Sequence, residues 1–197
     1  MSYSINNSTD NCYEGTTCLI NKFNIRDEEL LSSVEADLTV AKMMELEENP
    51  INGNFDFLHY KSIHRFIFED IYDWAGEIRT VNISKKGTDF ADASEIEELA
   101  NNCFKRLKDS NCFRNQDFDS LVANIVDFYC TTNMIHPFRE GNGRTQRVFL
   151  KQLINSNGYD INFNSVDIDE LMIATIQAAN GVTDNLTEIF KKNIVEK

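Results

Sequence analysis

The chain has 197 residues, a formal net charge of −13 and 42% apolar residues. That length holds one domain with a substantial core, and so acidic a surface argues against nucleic acid and anionic membranes as partners. No apolar run approaches a bilayer-spanning length. The first eleven residues lack the basic and apolar stretches of a signal peptide, so the expected location is the cytoplasm, with export by a signal-independent route left open. Five cysteines, at 12, 18, 103, 112 and 130, are odd in number and form no C-x-x-C. They read as free thiols, not as a disulfide frame or a zinc site.

In chain order, Asp27 reads as a helix N-cap, with Glu28 and Glu29 favoured in the first turn by the helix dipole. Leu30, Leu31, Val34, Leu38, Ala41 and Met44 give that helix one apolar face, and Asn49-Pro50 ends it. A second helix is expected from about Phe57 to Trp74, with Leu58, Ile63, Phe66, Ile67 and Ile71 inward, stopping near Ala75-Gly76. From Ile78 to Ser84 apolar and polar residues partly alternate, and Lys85-Lys86-Gly87-Thr88 follows, which predicts a hairpin over about 79–90. Helices resume at about Ser94–Leu107, Asp117–Ile135 and Asn142–Asn157, with Gly158 as a C-terminal stop. Two shorter ones, about Asp167–Ala179 and Asp184–Ile194, finish the chain. With two prolines, eight glycines and no repeat or linker, the expectation is one all-α domain with a single small β-hairpin. Its core spans about 55–160, its N-terminal helix about 27–49 and its C-terminal helices about 167–195.

The chemistry concentrates in His136-Pro-Phe-Arg-Glu-Gly-Asn-Gly-Arg-Thr-Gln-Arg147. Proline disfavours the helical conformation of the residue before it, so His136 falls at a helix end. Gly141-Asn142-Gly143 then turns into the next helix, where glycines and a positive helix end let backbone N–H groups approach an anion. Arg144 and Arg147, three apart on one helix face, add forked donors suited to phosphate oxygens. Glu140 supplies an oxygen ligand for Mg²⁺ beside such a cradle. An imidazole at its rim can take a proton from an attacking hydroxyl. Each part has a plain structural use: a capping histidine, a turn, a solvated helix face. Their order within one short segment favours a phosphate site.

This segment resembles the signature of Fic-domain proteins, H-x-F-x-[DE]-G-N-G-R-x-x-R, without departure. Ile63–Lys85 is similar to the family's helix and flap segment, and Cys18–Ile25 to the stretch that leads into it. The resemblance implies a protein adenylyltransferase that moves AMP from ATP to a Tyr, Thr or Ser hydroxyl of a target protein. His136 would be the general base, Glu140 the Mg²⁺ ligand, and Gly141, Asn142 and Gly143 the cradle of the α and β phosphates. Arg144 and Arg147 would hold the β and γ phosphates, and Phe138 would anchor the loop. The hairpin would be the flap along which the target docks as an extended strand, with Lys86 and Gly87 at its tip near the nucleotide. Self-modification is also expected. Other readings are a Fic-type phosphotransferase that moves another moiety, and a nucleotide-sensing regulator of the toxin–antitoxin kind. A second copy of the chain or an antitoxin-like regulator completes the set of expected partners.

Many family members carry an inhibitory helix with [ST]-x-x-x-E-[GN], whose glutamate pairs with the second motif arginine. Here Leu31-Ser-Ser-Val-Glu35-Ala36 is the best match, with Leu31 in the serine slot and Ala36 in place of Gly or Asn. Thr183 and Glu188 are one residue too far apart. The resemblance therefore implies that Glu35 reaches Arg147 as a brake; the alternative is a solvated glutamate on an amphipathic helix.

Overall fold

The computed structural model of the chain describes residues 4–5, 11–85 and 88–197. A two-residue strand β1 (Ser4–Ile5) comes first. Helix α1 (Glu28–Glu48) starts where Asp27 accepts the Leu30 amide at 2.8 Å, satisfying one orphan donor of the first turn. Asp56 caps helix α2 (Phe57–Phe68) in the same way through His59. The hairpin follows as β2 (Ile83–Lys85) and β3 (Thr88–Asp89), paired with Ser84 opposite Asp89. Then come α3 (Ile96–Asp109), α4 (Phe118–Ile135) and α5 (Asn142–Asn155). Strand β4 (Tyr159–Ile161), α6 (Ile168–Ala179), α7 (Asp184–Asn193) and β5 (Ile194–Glu196) close the fold. The all-α class with a small hairpin holds. Two short pairings add to it: β1 lies antiparallel against β2, and β4 against β5.

Helix α2 ends at Phe68, six residues before Trp74. The chain then turns through residues 69–76, and Gly76 at φ +83° donates its N–H to His64 Nδ1 at 2.8 Å. That bond brings the turn back against the helix. Leu58, expected inside, is 68% exposed.

Helix α1 departs more informatively. Leu30, at 54% exposure, and Met44, at 64%, face outward, and the buried residues are Leu31, Glu35, Thr39 and Leu46. The apolar count points one residue away from the true inner face, a rotation of about 100° on a helix. The inner face carries two polar residues because polar partners await them.

The core is aromatic and centres on α2, α4 and α5. Phe149 is fully buried and meets Tyr60, Phe104 and Phe128 with ring centroids 5.3 to 5.6 Å apart. Phe138, also fully buried, stacks on Tyr60 and on His64, at 5.7 and 3.8 Å. This packing fixes the loop between α4 and α5, on which the candidate site is built. Among the described residues no helix is long and apolar enough to cross a membrane.

Candidate functional site

Helix α4 ends at His136, which adopts φ 46°, ψ 61°. A non-glycine residue in this left-handed region stores strain that neighbours must hold. The principal holder is Arg79, which is 3% exposed. Its Nε donates to the His136 carbonyl at 2.8 Å, and its terminal nitrogens donate to the carbonyls of Val81 and Ala91, both at 2.6 Å. The Arg79 amide donates to Pro137 O at 2.9 Å. One guanidinium thus ties the base of the hairpin to the loop that carries the histidine.

The His136 ring is 6% exposed and stacks on Phe90, with centroids 3.7 Å apart. Its Nδ1 lies 3.1 Å from the Asn133 carbonyl. A carbonyl only accepts, so Nδ1 carries the proton and Nε2 is the basic nitrogen. Burial pushes the imidazole pKa down to about 3; the Asn133 carbonyl opposes that shift, and the charges of Arg79 and Lys85 add to it.

The loop is braced from within. Asn142 Oδ1 accepts the Phe138 amide at 2.8 Å, and its Nδ2 donates to the Phe138 carbonyl at 2.7 Å. The Asn142 side chain is therefore a loop clamp, and what it offers an anion is its backbone N–H at the start of α5. Gly141 precedes it at φ +80°, and a Cβ there would lie 2.1 Å from the Phe68 ring. Gly143 is exposed and borders the Arg147 guanidinium. The Glu140 carbonyl meets His64 Nε2 at 3.0 Å. Since His64 Nδ1 accepts the Gly76 amide, Nε2 is the donor. Burial among aromatic rings pushes the His64 pKa down to about 3, so it stays neutral, as this pattern requires.

Glu140 is one of three charged side chains in a small ion cluster, with Arg144 and Glu35. Its Oε1 accepts the Gly141 amide at 2.8 Å and Arg144 at 3.3 Å. Burial raises its pKa; the Arg144 charge opposes that shift and the Glu35 charge adds to it. Arg144 also donates to Glu35 Oε1 at 2.6 Å and to the Thr39 hydroxyl at 3.1 Å, with its guanidinium 4.7 Å above the Phe68 ring. The Tyr72 hydroxyl donates to Glu35 Oε2 in a short bond. The expected pairing of Glu35 with Arg147 is not formed: Glu35 meets Arg144. Its position on α1 faces the first motif arginine, and Tyr72 takes its other oxygen. Among the described residues Arg147 has no carboxylate within ion-pair distance. Burial lowers its pKa, and the like charge of Arg144 adds to the shift.

The structure thus gathers His136, Glu140, Gly141, Asn142, Gly143, Arg144 and Arg147 around the start of α5. Lys86 and Gly87, expected at the hairpin tip, lie outside the described residues. Sequence reasoning missed Arg79, Phe90, His64, Phe68, Tyr72 and Thr39. Arg79 had a signal: residues 79, 81 and 83 are buried while 80 and 82 are exposed, so a charge occupies the inward phase of the alternation. Among the described residues no group of three or more His, Cys, Asp or Glu side chains could hold a metal.

Comparison with known proteins points the same way. The chain is 34% identical over 181 residues to the protein adenylyltransferase VbhT of Bartonella schoenbuchensis, covering 92% of this chain but only 38% of VbhT. It is 34% identical to y4lH of Sinorhizobium fredii, named a probable protein adenylyltransferase, covering 86% of this chain and 88% of that protein. Among solved structures, the N-terminal Fic domain of a VirB-translocated Bep effector protein from Bartonella quintana, with bound ADP, superposes with a TM-score of 0.89 at 25% identity, covering 95% of each chain. The BepC structure from Bartonella tribocorum, with bound AMPPNP, superposes at 0.88 with 24% identity over 96% of this chain and 98% of that one, a likeness of fold. The model of the Fic/DOC family matches residues 54–154, and the chain belongs to that family.

Proposed function

We propose that the chain transfers AMP from ATP to a hydroxyl of a Tyr, Thr or Ser residue on a target protein, and on itself, releasing pyrophosphate. The observation that carries this reading is the junction of α4 and α5. A neutral imidazole with its Nε2 as base stands beside a helix N-terminus that presents backbone N–H groups and two arginines. Relatives of similar length and VbhT bear adenylyltransferase names. The chain spans 38% of VbhT's length.

In this mechanism the target hydroxyl attacks the α-phosphorus. The new O–P bond forms as the bond from the α-phosphorus to the bridging oxygen breaks, and the hydroxyl proton passes to His136 Nε2. The departing charge is held by the first-turn amides of α5 and by Arg144 and Arg147. Arg79 and Asn142 do not touch the reacting atoms; they hold the His136 and Phe138 backbones in place. Glu140 suits a hard cation such as Mg²⁺. Its second oxygen has no hydrogen-bond partner among the described residues, and Mg²⁺ at nucleotides is commonly held by one or two carboxylates with substrate phosphates completing the shell. Bound there, Mg²⁺ would neutralise phosphate charge. The target is proposed to dock beside the hairpin as an added strand. A nucleotide-dependent role with a regulatory partner is the second reading.

The test is incubation with labelled ATP and a cell lysate, followed by mass spectrometry of labelled peptides. Addition of AMP to protein hydroxyls, lost in His136→Ala, is the expected result. Addition of phosphate alone, or persistence without the imidazole, overturns the reading.

A further inference from the structure

Glu35 sits in the middle of α1, is 9% exposed, and spends both oxygens, one on the Tyr72 hydroxyl and one on Arg144. A brake on the nucleotide must occupy the anion's place and be able to leave it. Glu35 does neither. It approaches Arg144 from the α1 side together with Thr39, while Phe68 supports the guanidinium plane. Leu31 and Leu46, buried on the same helix, hold α1 on the body of the fold. Arg147, the arginine a brake would cover, has no carboxylate partner among the described residues.

The contact has a second consequence. The same Arg144 nitrogen lies 2.6 Å from Glu35 and 3.3 Å from Glu140. Two carboxylates compete for it, and Glu35 holds it more closely. Without the Glu35 charge, Arg144 has only Glu140 to neutralise, one helical turn away. It would then close on the oxygens that the proposed cation needs, and leave its place beside the phosphates.

We propose that Glu35 is a positioning residue for Arg144: from α1 it fixes the guanidinium for the nucleotide and keeps it off Glu140. This rests on the adenylyltransferase reading only in taking Arg144 as a phosphate contact. The opposite sign follows if Glu35 is a brake.

Glu35→Gln keeps the shape and removes the charge. Binding of a non-hydrolysable ATP analogue is measured by calorimetry with and without Mg²⁺, alongside the rate of AMP transfer, for Glu35→Gln, Arg144→Ala and the double variant. Misplacing such a supporting group typically costs about tenfold or more. Glu35→Gln should therefore bind the analogue about tenfold more weakly, transfer AMP more slowly and need more Mg²⁺ for half-maximal rate. The double variant should be no worse than Arg144→Ala, since Glu35 acts through that residue. Glu35→Asp, which keeps the charge, should recover part of the binding even if the amide variant folds poorly. Faster transfer or unchanged binding in Glu35→Gln overturns the proposal, as does a double variant that shows the product of both losses. If the wild type binds the analogue but transfers no AMP, the adenylyltransferase reading fails and the binding comparison still decides the role of Glu35. A wild type that binds no analogue overturns both.

Discussion

Gly141→Ala isolates the local geometry on which the loop depends. Gly141 sits at φ +80°, where an alanine Cβ crowds the backbone, and that Cβ would fall 2.1 Å from the Phe68 ring. The left-handed conformation costs an L-residue about 1–2 kcal/mol. Forcing a methyl against a buried ring costs about 1–3 kcal/mol more. Phe68 is fully buried and lies under Arg144, so it cannot swing aside without moving the guanidinium. The sum is about 2–5 kcal/mol, or a fall of about 10 °C in Tm for a chain of this size. Nucleotide binding should weaken too, because the displaced ring carries Arg144 with it. Thermal unfolding and calorimetry with an ATP analogue measure the two effects. Gly141→Ala/Phe68→Leu should recover the packing part of the loss and leave the backbone part. A single variant as stable as wild type, or a double variant no better than the single, would refute the assignment of the cost to φ and to Phe68.

The same reasoning extends to other residues. Arg79→Gln leaves the His136, Val81 and Ala91 carbonyls without their donor, so it should cost about 2–4 kcal/mol of stability and slow transfer about 100-fold, read from urea unfolding and initial rates. Arg144→Ala strands Glu35 beside Tyr72 and should destabilise the fold by about 2–3 kcal/mol after allowing for partial exposure, whereas Arg147→Ala should cost far less; paired melting curves test the contrast. His64 and His136 are neutral in the fold with pKa values pushed down to about 3, below the ordinary 6.5 they regain on unfolding. Above that ordinary value they cost nothing. As pH falls from it toward 3 the unfolded chain takes up protons that the fold refuses, so stability should drop by about 3 kcal/mol per pH unit from these two groups. Urea midpoints that do not fall between pH 7 and 5 would contradict their burial as neutral rings.

The elements were largely legible because caps and periodicity are local. Asp27, Asp117 and Asp167 each accept amides of the helix they open, and Gly158 takes the left-handed φ a stop requires. The motif placed His136 and the α5 start because its chemistry lies within one segment. Contacts between distant segments were not legible. Nothing in Tyr72 announces a bond to a residue 37 positions earlier, and Phe90 lies 46 positions before the ring it covers. The inner face of α1 misled for the same reason: Glu35 and Thr39 are buried against Arg144 on α5 and, for Glu35, Tyr72, while apolar counting favours Leu30 and Met44, which face outward. Strands β1, β4 and β5 are too short to carry a period of their own.

For an acidic chain to bind a polyanion, a count of arginines is not enough. Four lie in or beside the site, and each spends its charge differently. Arg79 gives its donors to backbone carbonyls and is sealed behind the hairpin. Arg139 is 4% exposed and reaches the Cys12 sulfur, remote from any phosphate role. Arg144 is shared between two carboxylates, so what it brings is direction more than charge. Of the two arginines on α5, Arg147 is the one without a carboxylate partner among the described residues, and it lies beside the exposed Gly143. The net attraction for the proposed phosphate would therefore come from one guanidinium without a carboxylate partner, the helix terminus and the oriented edge of a second guanidinium. It follows that salt should weaken nucleotide binding less than the motif's charge suggests, since most of the holding comes from oriented donors at short range and not from an exposed cationic field.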